Sequence, residues 1–545
     1  MSESNTVIGI NFGTAYTSIA YLNKDGRADC LANEEGDRQI ASVLAFHGDE
    51  EVIGSQAKSD IPRHPNQTIA NFRANIGKSF TEAENLTGSA APIVDKAGVP
   101  AYEIELPSGK TVFTAKEVSA KYLRHIRESA EAFLGTAVNG AVMAVPSYFT
   151  EKQREELVSA AEDAGIKVIQ LIHESAAAAL AYGVGQESTN KDPQDKTIVI
   201  CDLGGHSFDV TVLAVRSGMF TILATAHDTK VGGASFDDNL IKHFTAEFQK
   251  KAKIDINNNQ KALSKLRNAV EVTKKMLSSA NSAPCFVESL ADGVDFHSTI
   301  NRMRFEILSK NVFAQLQTVI HQVLEKSQLD ASEIDEVLLA GGSARIPRFA
   351  LKIREVFTNE NTKVLNELES DEVVARGCAI QGSLVSGFEK EDIDAAIHPV
   401  VTLAPNTTKA IGVLNAKGEF ITVIPRGTAL PTRRVFEFGN AEDNQSAAYL
   451  ALYEGEHVIE KVEVKPEPVE VEDDEEPYEE EPEIVTKVYT KPAAQLVEAS
   501  LPLEKAAKAK GSKIEVQITV DAQANVTLIM REKNGSKVVK VEAKK

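Results

Sequence analysis

The sequence predicts an α/β protein of two similar lobes around a cleft, followed by a small all-β domain. The first observation is Ile198–Val210, an apolar run that ends in Asp202, passes through Gly204, Gly205, His206 and Ser207, and resumes as an alternating strand from Phe208. The second is Val7–Ser18, about 190 residues upstream, which repeats the pattern with Asn11 at the strand end and Gly13, Thr14, Ala15 and Tyr16 in the turn. The third is a change of texture at Pro399, beyond which short alternating runs are separated by Gly and Pro turns.

A turn without side chains at its tip lets backbone N–H groups approach a phosphate, and an acid at the strand end can face a metal. A single glycine hairpin is more often only a turn. Here a third loop, Gly341-Gly342-Ser343-Ala344-Arg345, follows the apolar run Val337–Ala340 and precedes a helix start at Pro347. Three such loops in this order point to a nucleotide cleft shared by two lobes.

Composition sets the bounds. With 545 residues the chain holds two or three domains. A hydrophobic content of 43% is that of a globular protein. No apolar run is long enough for a membrane span, and Met1–Thr6 is too polar for a signal peptide, so a cytoplasmic protein without membrane contact is expected. Cys30, Cys201, Cys285 and Cys378 are scattered, as unpaired thiols would be. A net charge of −20 argues against direct nucleic-acid binding.

In chain order, the region 53–80 mixes loop and helix, and Thr114–Phe133 carries helical spacing. Ala141–Val145 is a strand stopped by Pro146, and Thr150 with Gln153 forms a capping box that opens a helix running to Ala164-Gly165. Val168–Ile172 is a strand, Ala176–Ala181 an alanine-rich stretch, and polar Gln186–Lys196 the hinge between lobes. In the second lobe Phe220–Ala226 is a strand, Gly232-Gly233 a turn, and a helix starts at about Phe236. Leu263–Ser279 is a basic amphipathic helix, Ser289–Ile300 a hairpin turning at Asp292-Gly293, Met303–Gln328 one long helix and Val373–Phe388 the last. The β domain should hold strands at Ile411–Leu414, Phe420–Ile424, Tyr449–Tyr453, Val458–Val464, Ile484–Tyr489, Ile514–Val520 and Val526–Met530. Glu467–Glu483 interrupts it with 11 acidic residues in 17, a composition expected to be disordered. Glu504–Lys510 has the pattern of a helical turn.

The three glycine loops, with Glu174–Gly183 and His227–Asp237, resemble the heat shock protein 70 (DnaK-type) chaperones from Val7 to Phe388. The resemblance implies an actin-like nucleotide-binding domain over residues 1–390, with lobe I about 1–190 and lobe II about 191–390. A linker at 391–398 would lead to a peptide-binding-type β-sandwich at 399–545 with the acidic insert at 466–483. ATP, and magnesium with it, would be the ligand. Gly13, Thr14, Ala15 and Tyr16 would form the first phosphate loop, and Gly204, Gly205, His206 and Ser207 the second. Gly232, Gly233, Glu271, Lys274, Lys275 and Ser278 would border the nucleoside, with Gly341, Gly342, Ser343, Arg345 and Asp371 completing the pocket. Asp202 would touch the metal through water, and Glu174 would lie near the phosphate-side water. For Glu271, Lys274 and Ser278, the alternative reading is a solvated helix face.

Departures from the family pattern concentrate at the phosphates. Asn11 stands where the resemblance expects an acid, Arg73 where it expects a lysine, Ala15 for a hydroxyl, His206 for a glycine, and Ser175-Ala176 for Pro-Thr. Asn11 offers no charge to a hydrated metal, and a guanidinium is larger and planar. Losing one such group costs roughly 10²–10³-fold in rate. ATP binding with weak or absent turnover follows, so the catalytic positions Asn11, Arg73, Glu174 and Asp202 are degenerate.

The linker lacks the family's leucine-rich run, and no long helical lid follows the β domain, so ATP-driven clamping of peptides is not expected. Gly218–His227 and Ser289–Arg304 resemble the atypical subfamily that joins a zuotin-type J-domain protein in the fungal ribosome-associated complex. That implies a stable heterodimer, reaching the ribosome and nascent chain through its partner and stimulating another heat shock protein 70 chaperone. The rival readings are a conventional ATP-cycling chaperone and a sugar kinase on the same fold.

Overall fold

The computed structural model describes residues 6–184, 195–388, 391, 405–415, 417–464, 483–503, 511–533 and 535–543. Most of the expected hinge (186–196), linker (391–398) and acidic insert (466–483), and all of the helical turn (504–510), lie outside the described residues; Lys196 and Glu483 themselves begin strands.

Each lobe is organised on one sheet with a common centre. In lobe I, Val7–Phe12 pairs antiparallel with Tyr16–Leu22 and parallel with Gly140–Val145, beyond which lies Val168–His173. In lobe II, Lys196–Leu203 pairs antiparallel with Phe208–Arg216 and parallel with Glu336–Ala340, with Met219–Asp228 and Lys363–Leu365 at the edges. The repeat read from the sequence is therefore one of topology. The central strands are buried along most of their length, with polar residues only toward their ends, because both faces are covered.

The lobes share a core. Val142, Ala144 and Ala177–Ala179 of lobe I pack with Ile198, Ile200, Leu338 and Ala340 of lobe II, together with Val374 and Cys378. The last two lie on helix Val373–Val385, which follows the lobe II sheet in sequence yet packs on lobe I strands. Its approach is close: a Cβ on Gly377 would stand 1.8 Å from the Ala177 carbonyl oxygen.

Most elements fall where their signals are, with instructive differences. The helix expected from Phe236 starts at Gly233, and the alanine-rich helix starts at Glu174. The 303–328 helix is two, Arg302–Leu308 and Lys310–Ser327, divided at buried Ser309. The hairpin at 289–300 is longer, pairing Ser282 with Asn301, and turns at Asp292-Gly293 as expected. A three-stranded sheet over Ile93–Thr114, and strands Thr432–Gly439 and Val538–Ala543, have no counterpart in the sequence reading.

The β domain is two four-stranded sheets face to face. One runs in the order Phe420–Ile424, Ala410–Leu414, Ala447–Val464, Glu483–Pro502, and the other Thr432–Gly439, Lys513–Val520, Val526–Glu532, Val538–Ala543. Alternate residues such as Ile514, Val516, Ile518, Leu528 and Met530 meet Leu450, Leu452 and Leu501 between the sheets. The strands expected at Tyr449–Tyr453 and Val458–Val464 are one continuous strand with irregular register near Tyr453.

Candidate nucleotide site

A cavity of about 480 Å³ opens between the lobes, and the three glycine loops converge on it. The first two tips face one another: a Cβ on Gly205 would lie 2.6 Å from the Ala15 Cβ. At both tips the protein's own donors engage the carbonyls. Ser42 donates its hydroxyl to the Gly13 oxygen (2.8 Å) and its N–H to the Ala15 oxygen (2.9 Å). In lobe II the Gly204 oxygen accepts from Gly233 N–H (3.0 Å) and the Ser343 hydroxyl (2.9 Å), and the Gly205 oxygen from Ala234 N–H (2.8 Å). Carbonyl oxygens would repel an anion, so occupying them is what a phosphate cradle needs. Gly341 sits at φ +84°, where a Cβ would collide with the Leu203 oxygen at 2.3 Å and Asp202 Oδ1 at 2.4 Å.

Acidic groups line the phosphate end. The ladder places Asp202 directly opposite Asp209, and both are drawn up from the ordinary carboxylate range, first by burial and then by the Glu174 charge. Asp209 Oδ2 accepts from Ser207 (2.9 Å), while Oδ1 is buried without a partner. Arg73, on a 3-10 turn at Phe72–Asn75, donates to Glu174 Oε1 at 2.7 Å and stands 5.2 Å over the Phe149 ring. Both partners of this pair are largely buried. His206 is held neutral, its pKa lowered to about 4 by burial and by Lys274 and Arg267.

At the other end Glu271 binds lobe I. It accepts from the Tyr16 hydroxyl and from Lys58 Nζ (2.5 Å), and pairs with Lys275 (3.1 Å). Burial alone would raise this carboxyl; Lys58, Lys275 and Lys274 outweigh it and hold Glu271 well below the usual range. Lys58 and Lys275 also stand over the Tyr16 ring, 4.7 and 4.5 Å from its centroid. Lys274 differs from its helix neighbours: its ammonium is buried against Asp237 Oδ2 (2.7 Å) and the Gly233 oxygen (3.0 Å). Arg345 pairs with Asp371 (2.5 Å) and Glu369.

The residues singled out in the sequence thus come together. Of those assigned to the nucleotide site all except Gly232 line the cavity, and Gly232 packs immediately behind Gly205, whereas Ser175 and Ala176, expected at the phosphates, do not line it. Sequence reasoning missed Asp209, Lys58, Asp237 and Arg267. Asp209 had a signal, since it lies as far beyond the second turn as Ser18 does beyond the first. Lys58 had none, because its role depends on a helix meeting the opposite lobe. Three buried, unpartnered polar atoms belong to residues that line the cavity: Arg73 Nε is a free donor, as a phosphate oxygen needs, and Asp209 Oδ1 and Asp237 Oδ1 are free acceptors, suited to the waters of a phosphate-bound cation or to a hydroxyl. Among the described residues no group of three or more His, Cys, Asp and Glu could hold a metal ion by itself.

Two sheets of common topology sharing a core, with glycine tips apposed over a polar cleft, define an actin-like two-lobed nucleotide-binding protein carrying a β-sandwich. The family described as Hsp70 protein matches residues 7–465, and the chain belongs to the Hsp70 family. It is 38% identical over 552 residues to a heat shock protein 70 homolog of Schizosaccharomyces pombe, covering 98% of this chain and 94% of the relative. It is 37% identical over 501 residues to the ribosome-associated complex subunit SSZ1 of Saccharomyces cerevisiae, covering 89% and 91%. A heat shock 70 kDa protein of Emericella nidulans is 36% identical over 452 residues, covering 82% and 68%.

Proposed function

We propose that this chain is an ATP-binding, hydrolysis-impaired chaperone subunit. In this reading it forms a stable heterodimer with a zuotin-type J-domain protein at the ribosome and stimulates another heat shock protein 70 acting on nascent chains. The observation that carries the impairment is the buried Arg73–Glu174 ion pair. A carboxylate bound to a guanidinium is a poor proton acceptor, so Glu174 is ill placed to help a water attack. Asn11 adds no charge at the neighbouring strand end. Binding survives because it is spread over the glycine tips, Glu271, Arg345 and Asp371.

Bound ATP would bring its own magnesium, which would draw charge from the phosphates. Asp202 and Asp209 would orient the metal's waters, with Asp202 acting through water and not as a direct ligand. The ribosomal assignment rests on likeness to the subunit named for the ribosome-associated complex. No helix among the described residues is long and apolar enough to cross a membrane. A cytoplasmic site beside the ribosome fits both. The second reading, a conventional ATP-cycling chaperone, draws on the intact glycine tips and the Asp202–Asp209 pair.

The deciding experiment is single-turnover ATP hydrolysis beside equilibrium ATP affinity with magnesium. Binding without turnover is expected. Turnover at the rate of a working chaperone overturns the impaired reading, and absence of binding overturns both. Co-purification with a J-domain protein from ribosomes tests the heterodimer.

A further inference from the structure

The phosphate hairpin of lobe II has two ends. Its tip, Gly204–Ser207, faces the nucleotide cavity. Its ladder runs unbroken from Leu203 opposite Phe208 to Lys196 opposite Val215, a length of roughly 25 Å at about 3.3 Å per residue. The β domain is attached at the far end.

Arg216, the last residue of Phe208–Arg216, is buried and fully engaged. It donates to the Lys196 oxygen (2.6 Å), the Val215 oxygen (3.0 Å), Thr197 Oγ1 (3.0 Å) and, across the domain boundary, the Arg426 oxygen (3.0 Å). Arg426 reaches back: it donates to the Gln328 oxygen (2.8 Å) and lies 3.7 Å from Glu333 Oε1. Gln328 caps the C-terminus of helix Lys310–Ser327, where carbonyls lack helical partners and carry the negative end of the dipole. Glu333 also meets His457 Nδ1 of the β domain at 3.1 Å, and Arg434 donates to Ser217 Oγ at 3.0 Å. Beside these contacts Gly427, at φ +77°, is seated so closely that a Cβ would lie 3.1 Å from Ala214 and 3.2 Å from Leu223. Every lobe residue in this cluster belongs to lobe II.

We infer that the β domain is a fixed extension of lobe II, seated on the root of the hairpin whose tip meets the phosphates. Nucleotide that closes the cleft swings the β domain with lobe II relative to lobe I and does not detach it. Two interlocked arginines with carbonyl and carboxylate acceptors, most of them shielded from water, resist separation far better than exposed ion pairs. The inference rests on nucleotide binding and is independent of whether hydrolysis is impaired.

Spin-label distances on the full chain test it, with the four native cysteines buried and introduced ones exposed. Lys250→Cys with Ala522→Cys spans lobe II and the β domain, and Lys24→Cys with Ala522→Cys spans lobe I and the β domain. Between nucleotide-free and ATP–magnesium states, the first distance is expected to stay fixed and narrow while the second shifts. A first distance that lengthens or broadens with nucleotide overturns the inference, as does a second that stays put when the site is full. ATP occupancy measured on the same samples separates a failure of nucleotide binding from a failure of the attachment. Arg216→Ala with Arg426→Ala should broaden the first distribution in either state while the second lobe stays folded by circular dichroism. An unchanged narrow distribution in that variant also overturns the attachment.

Discussion

The two phosphate hairpins are built alike and furnished differently. In lobe I the residues facing each other across the ladder at the base of the turn are Asn11 and Ser18; in lobe II the matching pair is Asp202 and Asp209. Both have a glycine just past the strand end and a tip whose carbonyls are engaged by neighbouring donors. The scaffold of a phosphate site therefore needs the ladder and the glycine, and the strand-end acids can differ without disturbing either. Lobe I supplies shape, and lobe II supplies shape and charge. Among the described residues that line the cavity, Glu174 is the one acid from lobe I, and it is held by Arg73.

The largest expected effect comes from making lobe I resemble lobe II. Asn11→Asp with Arg73→Lys should raise single-turnover hydrolysis by roughly 10²–10³-fold, the worth of one well-placed charged group. No gain would mean that the barrier lies elsewhere in the site. Next is Gly341→Ala, which combines a positive φ with two collisions, a strain of about 1–3 kcal/mol. It should lower the melting temperature and weaken ATP binding about tenfold or more. Gly342→Ala is its control: the nearest atom to the new Cβ is Asp371 Cβ at 3.6 Å, and near-wild-type behaviour is expected.

A third comparison uses pH. His173 in lobe I and His206 in lobe II are both held neutral, each lowered to about 4, by burial first and then by neighbouring cations. The unfolded chain takes up a proton near pH 6.5 that the folded chain refuses, so stability is lost as pH falls from about 6.5 toward 4. Thermal unfolding between pH 7 and pH 5 should show this, and His206→Gly should flatten part of the slope. The smallest effect is expected of Ser207→Ala, which removes the hydroxyl donor to Asp209. It should cost roughly 0.5–1.5 kcal/mol in denaturant unfolding and leave the lobe I hairpin's hydrogen exchange unchanged.

The fold was legible where local chemistry dictates it. Apolar runs broken by glycine marked the two central hairpins, and Thr150 with Gln153 marked a helix start that the structure realises as a capping box. The third loop was legible too, because its strand, turn and helix start are contiguous. What escaped notice is decided by pairing over distance. Asp209 reads as an ordinary strand residue until the register sets it against Asp202. Ser309 gives no sign of splitting a helix, because its effect depends on packing around a buried hydroxyl. Thr432–Gly439 opens on adjacent Arg433 and Arg434, which hide its strand pattern, and becomes a strand through its ladder with Lys513–Val520. Lys274 sits with the right periodicity beside Glu271 and Ser278, and only the partner helix shows that its amine is committed to Asp237.

Helix Val373–Val385 has a mechanical meaning. The chain passes from lobe I to lobe II between Ala181 and Lys196, and after Leu365 it crosses back, because Val373–Val385, expected within lobe II, packs on lobe I strands. Two covalent crossings fix a line, as two hinges fix the line on which a door turns. Sliding or twisting of one lobe past the other would have to stretch one crossing, whereas rotation about the line strains neither. The cleft can therefore open and shut as a jaw without breaking a rung of either sheet.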